Sequence, residues 1–196
     1  MTSFRHGVAL IVTDVQNDFA DPAGGLAVAG AAAIVPGLNA AIAAARAAGA
    51  LVVYTQDWHP PHTPHFAQDG GPWPVHCVAG TWGADFHPAL DVDGPVVRKG
   101  SEGEDGYSGF TMRDHLTGNE VPTALHDLLR AAGAHTVVVA GIATDYCVRA
   151  TVLDALRLGY AVTLRTDLVA AVDVRPGDGD AAIAEMVAAG ARAADG

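Results

Sequence analysis

Val8 to Thr13 is an unbroken apolar run, and a strand of that kind is buried on both faces, as strands are in a parallel sheet covered by helices above and below. That requirement leaves few architectures open. Leu51 to Gln56, Pro95 to Arg98, Thr136 to Ala140 and Tyr160 to Leu164 read as further strands, and a last one is expected beyond Gly190. Helical patterns lie between them. The first runs from about Gly30 to Ala48, with Pro36 near its effective start and Gly49 as its stop. The second carries Val121, Leu125, Leu128 and Leu129 on one face and closes at Gly133. A third shows Val148, Val152, Leu153 and Leu156 at helical spacing, and Ile183, Met186 and Val187 mark the last. Alternating strands and helices predict an α/β, three-layer Rossmann-like fold. Its sheet is parallel and five- or six-stranded, with helices on both faces and right-handed crossovers. No repeat or linker divides the chain, so residues 1–196 are expected to form a single domain.

In such sheets ligands bind outside the carboxyl ends of the strands. Those ends carry, in order, Asp14, Asp57 with His59, Lys99, and the turn Gly141-Ile142-Ala143-Thr144-Asp145-Tyr146-Cys147. Cys147 therefore falls at a strand-to-helix turn. With Thr144 as N-cap it is the third helical residue, where the helix dipole is expected to lower the thiol pKa. Backbone N–H groups of the first turn lack intrahelical partners and can face a developing oxyanion. A cysteine nucleophile also needs a proton acceptor and a cationic neighbour; Asp14 and Lys99 suit those roles. A second group looks suited to a metal. His59, His62, His65 and His76 are four of the nine histidines and lie beside Asp57. Asp57 and His59, two apart on an extended strand, point to one side. Imidazoles and a carboxylate with open positions suit zinc, manganese or iron. His62 reads as a bystander, and the acidic loop Ser101 to Gly106 as a solvated one.

The 11 Lys and Arg residues stand against 22 Asp and Glu, a formal net charge of -11. That removes the electrostatic footprint for nucleic acid or anionic lipid and favours a small, neutral or cationic substrate. Met1 to Gly7 lead into the first strand without a signal-peptide pattern, and the Ala-rich tract from Ala27 to Ala50 is broken by Pro36, Asn39 and Arg46, so no membrane span is expected. Two cysteines, Cys77 and Cys147, make no disulfide framework; they suggest free thiols, a reducing compartment and a cytoplasmic protein. No G-x-G-x-x-G follows the first strand and no P-loop is present, which argues against a nucleotide-binding module.

Six segments together resemble the nicotinamidase/pyrazinamidase branch of the isochorismatase-like cysteine hydrolases. They are Asp14-Val15-Gln16-Asn17-Asp18-Phe19, Asp57-Trp58-His59-Pro60, Trp73-Pro74-Val75-His76-Cys77, Lys99-Gly100, Tyr107-Ser108-Gly109-Phe110 and Gly141 to Val148. The resemblance implies a triad of Asp14, Lys99 and Cys147, and a divalent metal held by Asp57, His59 and His76. His65 matches a further ligand found in only some members. It also implies a cis peptide between Ile142 and Ala143, an oxyanion hole of the Ala143 and Cys147 N–H groups, and Phe19, Trp73 and Tyr107 around an aromatic ring. The activity implied is hydrolysis of nicotinamide to nicotinate and ammonia through a thioester on Cys147, with pyrazinamide as a second substrate and a role in NAD salvage. A homo-oligomer is left open. The rival readings are a metal-free relative acting on a carbamoyl or ureido substrate or on isochorismate, and a noncatalytic zinc-stabilised interaction domain. The histidines count against the first of these, and Cys147 against the second.

Overall fold

The computed structural model describes residues 4–195; residues 1–3 and 196, the outermost positions of the expected domain, lie outside the described residues. Six parallel strands form the main sheet: β1 (Val8–Thr13), β2 (Leu51–Asp57), β3 (Val96–Lys99), β6 (Thr136–Ile142), β7 (Ala161–Ala170) and β8 (Arg192–Ala194). Their order across the sheet is β3-β2-β1-β6-β7-β8, and each neighbouring pair is parallel. Two short strands, β4 (Thr111–Arg113) and β5 (Glu120–Pro122), form a separate antiparallel hairpin.

The side-chain period of two divides each central strand between two cores. Leu10, Val12, Val138 and Ala140 pack with Val35, Leu38 and Ile42 of helix α2 (Ala31–Ala47) on one face, where the short α1 (Asn17–Ala20) also lies. Ala9, Ile11, Val137 and Val139 pack on the other face. Their partners there come from α3 (Leu125–Ala131), α4 (Arg149–Arg157) and α5 (Asp178–Ala188). Strands covered on both sides must be apolar at consecutive positions, and all six residues of β1 are buried.

The chain runs from β1 outward through β2 to β3, then crosses back to lay β6 against the other side of β1. The order reverses between β1 and β6, which opens a crevice beyond their carboxyl ends. Thr13 pairs with Gly141 in that register, so Asp14 and the turn after β6 flank the crevice. Asp57 pairs with Lys99 one strand further out, which turns their side chains to the same side.

Several boundaries differ from the sequence expectation. Pro36 lies inside α2, because Gly30 at φ 78° turns the chain and the buried Ala31 and Val35 draw the preceding turn onto the sheet. Val121 is in β5 opposite Met112, not on a helix; the next residue is Pro122, which disfavours helical backbone before it. β7 continues well past Leu164, its register with β6 shifting between Val139 and Gly141. Thr144 does not cap. The residue before the turn is Ala143, no side chain caps it, and Thr144–Val148 form a wide π turn that runs into α4. Among the described residues no helix is long and apolar enough to cross a membrane.

Gly141 has φ 113°, and a Cβ there would lie 2.2 Å from the carbonyl oxygen of Thr13. Gly141→Ala is therefore expected to destabilise the fold by at least about 1–3 kcal/mol, the cost of such backbone in a residue with a side chain. An unchanged denaturant midpoint would contradict this account of the β1–β6 junction.

Candidate active site

Lys99, 1% exposed, is the hub of the buried polar cluster. Its Nζ lies 2.8 Å from Asp14 Oδ2 and 3.6 Å from Cys147 Sγ, and it also donates to Asp57 Oδ1. One ammonium thus donates to a carboxylate and a thiol and forms an ion pair with a second carboxylate. Thr55 Oγ1 donates to the other Asp14 oxygen at 2.6 Å. Burial opposes the charge on Lys99, but Asp14 and Asp57, with Cys147, outweigh it and hold the ammonium pKa well above its usual value. Burial pushes the Asp14 carboxyl up, against the pull of Lys99. Burial would also raise Asp57, but Lys99 and then His59 hold it below the carboxylate range.

The thiol does not follow the helix-dipole expectation. Burial pushes the Cys147 pKa well up and the Asp14 and Asp57 carboxylates add to it, while Lys99 alone among the main influences opposes. The cause is the π turn and its setting: Cys147 is 6% exposed, and no α-helical first turn begins at Thr144. The resting thiol keeps its proton, so a base is needed to take it. The Ile142–Ala143 peptide is cis.

A second cluster lies beside this one. One ring nitrogen each of His59, His65 and His76 fall within 4.8 Å of one another, and all three residues are buried. His76 Nδ1 donates to the carbonyl of Pro74 at 2.8 Å, which leaves Nε2 as the ring atom with a lone pair. Burial lowers the His76 pKa to about 4, with His59 and His65 acting in the same direction against Asp57. The imidazole is neutral near pH 7, the form that binds metal. His59 is 2% exposed, and neither of its ring nitrogens has a hydrogen-bond partner among the described residues. Buried polar atoms are rarely left so, and a ligated cation is the partner this nitrogen-rich setting suits. Asp57 Oδ2 is 3.8 Å from His59 Nε2, while its other oxygen faces Lys99. Asp57 thus joins the two clusters. The residues present fit a divalent transition ion. His62 is exposed and pairs with Asp69 instead.

Phe19, Trp73 and Tyr107 wall a pocket whose floor includes Cys147, Ala143, His65, His76 and Asp57. Trp73 Nε1 donates to Tyr107 Oη at 3.0 Å, fixing two walls against each other. Tyr146, Leu26 and Val172 complete the wall and were not anticipated. Tyr146 stands next to Cys147 in the chain and packs edge-on to Trp73 with centroids 4.9 Å apart. That adjacency was the available signal for it; Leu26 and Val172 lie on loops with no chemical marking.

The remaining polar residues of the two long motifs position these parts. Gln16 grips the backbone of Asp57, its Nε2 donating to the carbonyl at 2.7 Å and its Oε1 accepting from the N–H at 2.8 Å. Asp18 accepts from the N–H of Cys77, next to His76, at 2.6 Å and from that of Gly25, next to Leu26, at 2.8 Å. Asp145 accepts from the N–H groups of Val172 and Asp173, each at 2.9 Å, and so holds the Val172 wall. Cys77 is fully buried, and burial pushes its thiol pKa well up, as befits a structural residue. The acidic loop is not wholly a solvated one, because Asp105 turns in to meet His65.

The isochorismatase domain family matches residues 8–196, and the chain belongs to that family. It is 39% identical to a nicotinamidase of Escherichia coli over 201 residues, covering 93% of this chain and 92% of that protein. It is 45% identical over 171 residues to a nicotinamidase/pyrazinamidase of Mycobacterium tuberculosis, covering 84% of this chain and 87% of that one. Among solved structures, a pyrazinamidase of Pyrococcus horikoshii in complex with zinc superposes with a TM-score of 0.86 at 40% identity, over 97% of this chain and 99% of that one.

Proposed function

We propose that this chain is a metal-dependent cysteine amidohydrolase that converts nicotinamide to nicotinate and ammonia, and that it accepts pyrazinamide as well. The observation that carries the reading is the pairing, on one aromatic-walled pocket, of a thiol bridged through Lys99 to Asp14 with a group of three buried imidazoles. A triad without the histidines would suit a carbamoyl or ureido substrate equally well. Histidines without the triad would suit a structural metal.

His59, His76 and Asp57, with His65, would hold the metal, for which zinc, manganese and iron are the candidates. When bound it supplies a Lewis-acidic anchor for a ring nitrogen. Phe19, Trp73 and Tyr107 border the ring, and the carboxamide carbon is brought to Cys147. Asp14 takes the thiol proton, and Lys99 stabilises the thiolate as it forms. Sulfur attacks the carboxamide carbon, and the N–H groups of Ala143 and Cys147 hold the resulting oxyanion. Asp14 returns the proton to the leaving nitrogen, the C–N bond breaks, and ammonia departs from an acyl thioester. Asp14 then deprotonates a water, whose oxygen attacks the thioester; the C–S bond breaks, nicotinate is released, and the sulfur recovers a proton. The acyl group passes through sulfur because Cys147 lies on the pocket floor, with Lys99 3.6 Å from its sulfur and 2.8 Å from Asp14, so a nucleophile, a base and a cation meet at one place.

A role in nicotinamide salvage, in a reducing cytoplasm that keeps both buried thiols free, accords with this reading. The experiment is ammonia release from nicotinamide by purified protein, before and after chelation and with metal restored. Release that chelation abolishes and one of the three metals restores is the expected result. No release under any metal condition, with Cys147 still open to alkylation, would overturn the reading and direct attention to carbamoyl and ureido substrates.

A further inference from the structure

The loop between β3 and β4 exposes Ser101 and Glu102 to solvent, whereas the Asp105 carboxylate reaches a buried histidine. Its Oδ1 lies 2.8 Å from Nδ1 of His65. The backbone of Asp105 is fixed from the far side. Its N–H donates to the carbonyl of Arg113 at 2.8 Å, and the Arg113 N–H donates back to the Asp105 carbonyl, so the residue is bridged to the edge of the β4–β5 hairpin. His65 is equally constrained. Its side chain is 5% exposed, and its ring stacks on His59 with centroids 4.9 Å apart and planes 24° from parallel.

A carboxylate can only accept, so this contact places a hydrogen on Nδ1 of His65 and leaves Nε2 as the ring nitrogen available to a metal. The pairing of His76 Nδ1 with the Pro74 carbonyl selects the same tautomer there. Two of the three clustered imidazoles are thus held with Nδ1 engaged outward, the arrangement in which metal-bound histidines are oriented and made more basic by an outer partner. The Asp105 side chain is 53% exposed. Solvent screens much of its charge, so its effect comes chiefly from the direction of the hydrogen bond.

We propose that Asp105 is a positioning residue of the metal centre, acting through its hydrogen bond to His65. The inference rests on the metal-dependent reading above. It gives the acidic loop a function and makes the β4–β5 hairpin its mechanical support.

The test uses full-length protein titrated with cobalt(II) and with zinc(II) against a chromophoric chelator, with the visible spectrum of the cobalt form as a measure of ligand field. Asp105→Ala is expected to weaken binding of both ions by about 10–100-fold and to alter the cobalt spectrum. Asp105→Asn, which keeps an acceptor of the same shape and guards against a misfolded alanine variant, is expected to retain most of the affinity. In a His65→Ala background the Asp105→Ala change should add less than about twofold, because a residue acting through another loses its effect when the other is gone. Wild-type affinity and spectrum in Asp105→Ala would overturn the proposal while leaving the metal reading intact. So would the same loss appearing again in the His65→Ala background. Failure of the wild-type protein to bind either ion would overturn the metal reading itself, and this proposal with it.

Discussion

Cys147→Ala is expected to reduce ammonia release by roughly 10⁴-fold or more while leaving the bound metal at its wild-type level. A nucleophile acting in concert with its base and cationic partner accounts for most of the rate, so removing it alone approaches the loss from removing all three. The metal should stay because no histidine of the cluster depends on the thiol; Sγ faces Lys99 at 3.6 Å, and the three imidazoles are held by Pro74, Asp105 and mutual packing. His59→Ala should give the opposite order of events. It removes the imidazole whose two nitrogens lack any partner among the described residues, so metal is lost first and activity falls with it. Measuring metal content and ammonia release on the same preparations separates the two clusters. A Cys147→Ala protein that kept most of its rate would rule out the thioester route.

The architecture was legible because its constraint is strong. An apolar run such as Val8 to Thr13 has few homes other than a doubly covered parallel strand, and the ends of such strands are where polar chemistry collects. Asp14, Lys99 and Cys147 could therefore be picked out from position and residue type, and the structure brings them to one ammonium. His59, His65 and His76 were legible as a cluster, but their division of labour was not. The proximity of His65 to His59 depends on how the irregular segment after β2 folds back, and no periodicity encodes that path. The local details that differed were decided by tertiary packing. Thr144 has the chemistry of a cap, yet the turn it begins is widened into a π turn, and the buried side chain makes no capping bond. The pKa of Cys147 departs from the dipole expectation for a related reason: dipole arguments apply to an exposed helix start, whereas here burial and two carboxylates decide. Leu26, Val172 and Asp105 act from loops whose residues look ordinary until Asp18, Asp145 and Arg113 are seen to hold them in place.

Lys99→Met is expected to cost about 3–5 kcal/mol of stability as well as nearly all activity. The substitution keeps much of the side chain's volume but removes the ammonium that pairs with both Asp14 and Asp57, which are 0% and 5% exposed. Breaking a buried ion pair on one side leaves a charge with neither water nor partner, and that is where the large penalties arise. Two carboxylates left facing each other cannot both remain ionised, so one must take up a proton. Asp14 is the one, since burial already pushes its carboxyl up even with Lys99 present, whereas Asp57 retains the histidines beside it. The sign of the pH dependence follows. With Asp14 raised in the folded variant above its unfolded value, the folded state binds more protons than the unfolded one, so stability is greatest at low pH and declines as pH rises through the folded pKa. The deficit relative to wild type should therefore narrow on going from pH 8 to pH 5. Denaturant titrations of both proteins, chelated so that no metal substitutes for the lost cation, provide the comparison. A deficit that stayed constant across that range would mean that Lys99 stabilises the fold by packing rather than by holding two buried carboxylates in their ionised form.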